Sequence, residues 1–299
     1  MKMLMVGAGD IGQRVLAKLK RRERGVAVTS TPAKRPALKR LGARAVLADL
    51  DKPDTLKRLP HDWDVLVHAA PPQSYLTHDL RTRNLLAAAA RRASHARCVV
   101  YLSTSGVYGD CGGARITESQ PRKPHNVRAH RRVDAERVLT RAARRGAFRL
   151  IILRVPGIYA HDRLPLARLK AGTPALLPAE DVYTNHIHAA DLATITLAAI
   201  KRMRQRLRPQ VRIYHASDDS ALKMGDYFDL VADAFKLSRP PRLPRMQLEA
   251  TVSPMLRSFM SESRRLDNAR MKRELRVRLQ FATVAEGIAA AAKVLTSQA

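Results

Sequence analysis

The stretch that decides the fold is residues 3–16, Met-Leu-Met-Val-Gly-Ala-Gly-Asp-Ile-Gly-Gln-Arg-Val-Leu. Its first four residues are apolar, which is typical of a short strand buried on both faces. Apolar residues then recur at a helical spacing, and this pattern predicts a helix that ends near Gly25. A glycine-rich turn therefore lies between a strand and a helix.

The glycines of this turn have the spacing G-x-G-x-x-G. The first permits a tight turn, the second lets the backbone approach a pyrophosphate, and the third allows close packing of helix and strand. Free N–H groups at the start of the helix then attract the phosphate charge. We expect a dinucleotide-binding loop formed by Gly7, Gly9, Asp10, Ile11 and Gly12; the alternative is a glycine-rich turn without a ligand.

A second strand is predicted at residues 26–29, and its end indicates which dinucleotide is bound. Sites that prefer NAD usually place an acidic residue there to hold the ribose hydroxyls. This chain instead has Thr29, Ser30 and Thr31, followed by Lys34 and Arg35. Hydroxyls and cations suit a 2′-phosphate, so we expect NADP rather than NAD. The alternative is that Lys34 and Arg35 only begin the next exposed helix.

Strands and helices continue to alternate up to Pro156, which predicts a parallel sheet with right-handed crossovers. The predicted strands are residues 45–49, 64–70, 98–102 and 148–154, and the predicted helices are residues 80–92 and 127–145. Ligands of such sheets collect at the carboxyl ends of the strands. The residues expected at these ends are Gly7, Thr29, Asp49, Ala69 and Ser103.

After Pro156 the pattern loosens into turns and prolines, with a helix predicted at 188–202 and a strand at 212–216. We predict an α/β fold, a Rossmann-type doubly wound parallel sheet with a smaller, mostly helical C-terminal substrate lobe. The expected domains are 1–156 for NAD(P) binding and 157–299 for the substrate, with 188–216 returning to the first.

The chain has 299 residues and a formal net charge of +29. Such a field attracts polyanions, so nucleic acid has to be considered as a partner. The basic residues are scattered along helix-like segments, however, and aromatic residues make up only 4%. We therefore expect solvated helix faces and no nucleic-acid partner; the alternative predicts steeply salt-dependent duplex binding.

Other targeting and site signals are few. Cys98 and Cys111 have no metal or redox spacing and are expected to be free thiols. His186 and His188 would share one face of a strand, but no third ligand is evident, so no metal site is predicted. No apolar run approaches the roughly 18 residues of a membrane span, and the amino terminus has no signal-peptide pattern. We expect a cytoplasmic protein without a membrane segment.

Together these motifs resemble the extended short-chain dehydrogenase/reductase superfamily, of the nucleotide-sugar epimerase/dehydratase type. The resemblance spans nearly the whole chain. It implies that Asp49 and Leu50 contact the adenine ring and that Ala69, Ala70, Pro71 and Ser103 line the cofactor. Further similar segments are 103–109, 153–159 and 185–193, which read Ser-Thr-Ser-Gly-Val-Tyr-Gly, Leu-Arg-Val-Pro-Gly-Ile-Tyr and Asn-His-Ile-His-Ala-Ala-Asp-Leu-Ala.

The resemblance implies a catalytic role for Thr104, but it fails at the proton relay. The family uses Tyr-x-x-x-Lys on the next helix, whereas no tyrosine lies between Tyr108 and Tyr159. The aligned pair is Arg128 and Arg132, and arginine does not give up its proton. Such departures are similar to the atypical branch of the superfamily. His130 and Tyr159 are further candidates for the chemistry, since histidine titrates near neutral pH.

Two functions remain open. The first is an NADP-dependent oxidoreductase or epimerase-like enzyme with an altered relay, acting on a small molecule that is nucleotide-sugar-like or of another class. The second is a non-catalytic NADP(H)-binding redox sensor. A homodimer through the alanine-rich helix at residues 85–93 is also expected from the resemblance.

Overall fold

The computed structural model describes residues 1–20, 23–60, 62–90, 98–204 and 210–296. Seven strands form one central sheet, and every pair of neighbours is parallel. They are β1 (Lys2–Val6), β2 (Arg24–Thr29), β3 (Arg44–Leu47), β4 (Val65–His68), β5 (Cys98–Thr104), β6 (Arg149–Val155) and β7 (Val211–His215).

The strand order in space is β7-β6-β5-β4-β1-β2-β3. From β1, the next two strands, β2 and β3, are added on one side of the sheet. The chain then crosses back, and β4 to β7 are added in turn on the other side of β1. This reversal puts β1 and β4 side by side and opens a crevice at their carboxyl ends, where ligands of doubly wound sheets bind. The predicted α/β fold is confirmed.

Eleven α-helices occur in the described part of the chain. They are α1 (Asp10–Ala17), α2 (Arg35–Arg40), α3 (Leu80–Ala90), α4 (Val127–Arg144), α5 (Leu166–Lys170), α6 (Ala189–Arg204), α7 (Met224–Ala234), α8 (Arg245–Thr251), α9 (Pro254–Met260), α10 (Ala269–Leu275) and α11 (Val284–Thr296). Short 3-10 helices lie at Pro32–Lys34, Pro53–Arg58 and Ser105–Tyr108. None of these helices has the length and apolar character needed to cross a bilayer.

The sheet is buried on both faces because successive side chains of a strand point to opposite sides. Met3 and Met5 of β1 pack on one face, in a core shared with α1, α6 and α10. Leu4 and Val6 pack on the other face, in a core shared with α3 and α4. This double burial explains the uninterrupted apolar runs of the strands.

The C-terminal lobe has a separate core, which contains Phe228 of α7, Leu248 of α8 and Ile288 of α11. Four small two-stranded sheets tie this lobe together and to the central sheet. Their strand pairs are Gly157–Tyr159 with His186–His188, Ala175–Leu176 with Arg242–Leu243, Tyr183–Thr184 with Leu222–Lys223, and Arg115–Ile116 with Arg265–Leu266.

The predicted end of the first helix is wrong. Helix α1 ends at Ala17, and Gly25 lies within β2. The glycine is needed there for packing, since a Cβ at this position would lie 2.9 Å from Cδ2 of Leu16. Gly25 therefore allows α1 to lie close to β2 and does not end a helix.

Candidate functional site

The glycine loop lies at the carboxyl end of β1, beside β4. Gly7 has φ +93°, and a Cβ there would lie 2.3 Å from the backbone nitrogen of Ala70. A Cβ on Gly12 would lie 2.6 Å from the carbonyl oxygen of Gly7. A Cβ on Gly9 would meet no atom within 4 Å, so this glycine faces open space. Gly7 and Gly12 are required by the fold itself, whereas Gly9 leaves room for a ligand.

A cavity of about 470 Å³ opens above this loop, at the carboxyl ends of the strands. It gathers almost every residue that the sequence assigned to the cofactor. The lining includes Gly7, Gly9, Asp10, Ile11, Gly12, Thr29, Ser30, Thr31, Asp49, Leu50, Ala69, Ala70, Pro71 and Ser103. Arg35 is the exception, since it begins α2 outside the cavity, and Lys34 lines the cavity instead.

The end of β2 carries hydroxyls and a cation. The side chain of Thr29 accepts a hydrogen bond from the backbone nitrogen of Thr31 at 3.1 Å, which shapes the turn after the strand. Ser30, Thr31 and Lys34 are exposed and line the cavity. Asp49, at the cavity edge after β3, accepts a hydrogen bond from the backbone of residue 51. The position after β2 is thus neutral or basic in the structure as in the sequence.

Asp10 begins α1, where a carboxylate interacts favourably with the helix dipole but would repel a phosphate. Two arginines neutralise it: Nε of Arg14 lies 2.6 Å from one carboxylate oxygen, and Arg163 lies 3.0 Å from the other. Sequence reasoning missed Arg163 because it lies in a turn without periodicity. The loop therefore presents backbone N–H groups without net negative charge, a chemistry that fits a dinucleotide pyrophosphate.

A second cavity of about 680 Å³ adjoins the first, and Pro71, Arg132, Ile158 and Arg163 line both. Thr104, at the end of β5, lines the second cavity. Its hydroxyl oxygen accepts a hydrogen bond from the backbone nitrogen of Gly106 at 3.2 Å, so the hydroxyl proton is free to be donated. The arrangement places a hydroxyl donor next to the junction of the two cavities.

Arg128 and Arg132 also line the second cavity, one turn apart on α4. Arg132 donates hydrogen bonds of 3.0 Å to the carbonyl oxygen of Leu102 and to the hydroxyl of Tyr101. Burial raises the pKa of Tyr101 to about 12, and it remains protonated. The exposed guanidinium of Arg128 lies 4.6 Å from the centre of the Phe259 ring. Both arginines are fixed cations at the site, and neither is a proton carrier.

The structure does not bring His130 and Tyr159 to this site. His130 is exposed on α4 and lines neither cavity. Tyr159 is buried, and its hydroxyl donates to the carbonyl oxygen of Thr283 at 3.3 Å. Burial raises the pKa of Tyr159 far above its ordinary value, and Gly287 packs directly against the ring. Tyr159 thus has the surroundings of a packing residue of the C-terminal lobe.

A buried charge network lies beneath the site, and sequence reasoning missed it. Glu136 of α4 is fully buried and accepts a 2.6 Å hydrogen bond from the hydroxyl of Ser103, which lines the first cavity. The guanidinium of Arg154 lies 2.8 Å from the other oxygen of Glu136 and 2.6 Å from the hydroxyl of Tyr108. The signal in the sequence was a glutamate on the apolar face of α4, beside Ala135 and Leu139. The network fixes the hydroxyl of Ser103 at the cofactor cavity.

The other residues singled out in the sequence have packing roles. Cys98 and Cys111 are not joined in a disulfide bond, and Cys98 is buried. His186 and His188 contact the ring of Tyr159, with ring centres 6.2 and 5.2 Å away. Within the described ranges, no three His, Cys, Asp or Glu side chains converge as a metal ion would require.

Comparison with known proteins now identifies the family. The sequence model of the NAD dependent epimerase/dehydratase family matches residues 3–214. A conserved protein of unknown function from Silicibacter pomeroyi is 28% identical with a TM-score of 0.79, covering 100% of this chain and 99% of its own. A UDP-galactose 4-epimerase (20% identity, TM-score 0.78, coverage 100% and 99%) has the same fold. So does a Methylobacillus flagellatus protein that has been assigned as an NAD-dependent epimerase/dehydratase (24% identity, TM-score 0.74, coverage 99% and 98%).

No curated protein matches the chain. The family match covers well over half of the sequence and includes the glycine loop, Thr104 and the helix that carries Arg128 and Arg132. A nicotinamide dinucleotide is the cofactor class of this family. The chain belongs to the NAD dependent epimerase/dehydratase family.

Proposed function

We propose that the protein is an NADP(H)-dependent oxidoreductase or epimerase-like enzyme that acts on a small molecule with an altered proton relay. The observation that carries the proposal is the junction of the two cavities. The first contains the glycine loop, and the second contains Thr104 and the two arginines. A dinucleotide lying along the first cavity would end where the second begins, so that a substrate there would meet its reactive ring.

NADP is favoured over NAD by the end of β2. Ser30, Thr31 and Lys34 line the cavity where an NAD-specific site would have a carboxylate. A lysine ammonium and two hydroxyls provide donors for a 2′-phosphate, whereas a carboxylate would repel it. The support comes from Lys34 rather than from Arg35, which lies outside the cavity.

When bound, a nicotinamide cofactor supplies or accepts a hydride. For the chain itself, Thr104 would donate a hydrogen bond to the substrate oxygen. Arg132 would hold ribose hydroxyls or a substrate anion, because it lines both cavities. Neither arginine can take the proton that the family's tyrosine normally handles. Two fixed positive charges would therefore stand at the position of the usual acid–base pair, and the proton would have to pass through another group or through water.

The first test is a calorimetric titration of nucleotide-free protein with NADPH and then NADH. Micromolar binding of NADPH with weaker binding of NADH is expected. Binding of neither would refute cofactor use, and tighter binding of NADH would refute the NADP assignment. Turnover then needs a panel of alcohols and carbonyl compounds followed at the NADPH absorbance.

The absence of a tyrosine between Tyr108 and Tyr159 supports a second candidate, a non-catalytic NADP(H)-binding redox sensor. A sensor needs the glycine loop but no acid–base residue. It predicts NADPH binding without oxidation or reduction of any compound in the panel. Measurable turnover that depends on Thr104 would exclude it.

For partners, we propose a homodimer through the alanine-rich segment 85–93, of which residues 91–93 lie outside the described residues. Light scattering after size-exclusion chromatography tests it, since a monomer mass at micromolar concentration would contradict it. Nucleic acid is not expected as a partner. Tight duplex binding that weakens steeply with salt would reverse that expectation.

A further inference from the structure

The second cavity has a net positive lining. Five arginines and one carboxylate line it: Arg128, Arg131, Arg132, Arg163, Arg264 and Glu262. Glu262 forms an ion pair with Arg264, since both terminal nitrogens of Arg264 lie 2.9 Å from one of its carboxylate oxygens. Arg163 is paired with Asp10. The other three arginines of the lining belong to α4.

These three cations, Arg128, Arg131 and Arg132, form no ion pair within 4.0 Å with any carboxylate of the described ranges. Arg131 is buried, with 8% of its surface exposed, and donates to the carbonyl oxygens of Ser74 and Leu76. Its Nε is buried without a hydrogen-bond partner. A buried guanidinium donor without a partner costs free energy, whereas the exposed Arg128 is hydrated and would exchange that water for a ligand anion.

Part of the cavity lining is apolar. Met224, Phe228, Leu256 and Phe259 from α7 and α9 line the cavity. Phe259 is a large apolar side chain that remains 47% exposed at the protein surface. These four side chains cannot hydrogen-bond to a sugar hydroxyl, whereas they would bury the body of an aromatic or aliphatic ligand.

One contact joins an arginine to the apolar part of the lining. The guanidinium of Arg128 lies over the Phe259 ring, 4.6 Å from its centre, so a ligand bound by Arg128 would lie close to this aromatic side chain. Arginine also binds carboxylate and phosphate through paired hydrogen bonds, which fixes the direction of the rest of the ligand. A ligand held in this way would extend from the arginines along Phe259, Leu256 and Phe228.

We infer that the substrate of this site is an amphiphilic anion, a carboxylate or phosphate monoester on an aromatic or aliphatic body. Its anionic end binds Arg128 and Arg132, and its apolar body packs on Phe259. The inference rests on the proposed function, since it names the ligand class of the same second cavity. It differs from a nucleotide sugar in having no sugar hydroxyl groups and no diphosphate, and the binding comparison below distinguishes the two classes.

The probe is 3-phenylpropanoate, titrated calorimetrically into protein with and without saturating NADPH. We expect binding at least tenfold tighter than that of 3-phenylpropanamide, which lacks the charge, and of propanoate, which lacks the ring. UDP-glucose and UDP-glucuronate are the comparison ligands and should bind more weakly. Phenethyl phosphate compares the two kinds of anion on the same aromatic body: tighter binding than the carboxylate would favour a phosphate ligand, and weaker binding would favour a carboxylate.

Variants locate the two ends of the ligand. Arg128→Gln should weaken 3-phenylpropanoate at least tenfold and leave 3-phenylpropanamide unchanged. Phe259→Ala should weaken both several-fold. Arg141→Gln is the matched control, because Arg141 is an exposed arginine on the same helix outside the cavity. Its binding should equal that of the wild type.

The outcomes separate the two proposals. Equal binding of the acid and the amide, or binding of UDP-sugars alone, overturns the amphiphilic anion. The same holds if Arg128→Gln and Arg141→Gln behave alike. If 3-phenylpropanoate binds through Arg128 but NADPH does not bind at all, the ligand class stands and the proposed enzymatic function falls.

Discussion

Two substitutions in the glycine loop should have different effects: one should lower the stability of the fold, and the other should weaken cofactor binding. A Cβ added at Gly12 would lie 2.6 Å from a backbone oxygen, whereas one added at Gly9 would meet nothing within 4 Å. Gly9 also has an extended backbone (φ −77°, ψ −161°) that alanine adopts readily. Gly12→Ala should therefore damage the fold, and Gly9→Ala should damage only the cofactor site.

The magnitudes follow from these contacts. Overpacking at Gly12 costs about 1–3 kcal/mol, and the helix preference of alanine returns about 1 kcal/mol. At Gly9, alanine loses roughly 0.5–1 kcal/mol as an N-cap and gains a similar amount from a less flexible unfolded chain. The free energy of unfolding of Gly9→Ala should thus stay close to that of the wild type. Its methyl group would occupy the space that the pyrophosphate needs and should weaken NADPH about tenfold or more, which corresponds to about 1.4 kcal/mol.

The assay pairs urea unfolding with calorimetric titration of NADPH for the wild type and both variants. The reasoning fails if Gly9→Ala binds NADPH like the wild type, because the loop would then not surround the phosphates. It also fails if Gly9→Ala is markedly less stable than Gly12→Ala, because the space beside Gly9 would then not be open.

Three further predictions concern buried groups and the second strand. Burial holds the pKa of His68 at about 3, so its contribution to stability is complete above pH 6.5 and is lost as the pH falls from 6.5 toward 3. The unfolding free energy, measured by urea titration, should therefore fall with pH between 5.5 and 4.5. His68→Gln should reduce this slope by about 1.4 kcal/mol per pH unit. An unchanged slope would show that His68 is already protonated in the fold. Glu136→Gln leaves the buried guanidinium of Arg154 unpaired and should cost about 3–5 kcal/mol in urea unfolding, whereas a loss below about 1 kcal/mol would mean that the pair is not needed. Lys34→Ala should weaken NADPH up to about fivefold in calorimetric titrations and leave NADH unchanged, and equal losses for both would remove the 2′-phosphate argument.

Much of the fold could be predicted because the sheet is buried on both faces. Apolar runs such as residues 3–6 and 98–102 have no alternative in a doubly wound sheet, and both became central strands. Local sequence patterns were less informative where tertiary packing determines the role of a residue. Gly25 was expected to end a helix, but it lies in β2 to make room for Leu16. A glycine alone does not distinguish a helix end from a close packing contact.

The candidate site divides in a similar way. Residues at strand ends, such as Thr29 and Ser103, were predicted because one topological rule brings those ends together. Arg163 and Phe259 were not predicted, since each reaches the site from a segment that carries no recognisable motif and lies far along the chain from the glycine loop. The choice between Lys34 and Arg35 depended on the turn of one short helix, which composition does not determine.

The sequence resemblance implies that Arg128 and Arg132 stand where the family has its tyrosine and lysine, and on that proposal the site has two fixed cations in place of an acid–base pair. Arg132 is held at 3.0 Å by the carbonyl oxygen of Leu102 and by the hydroxyl of Tyr101, so its charge is fixed between the two cavities. A fixed cation stabilises negative charge on a bound ligand or on a developing oxyanion, but it cannot carry a proton away. Any proton released during turnover must therefore leave through another group or through water entering the second cavity. Two fixed cations favour binding of an anionic ligand, but they do not indicate which reaction follows. The identity of the anion is therefore the first question to answer.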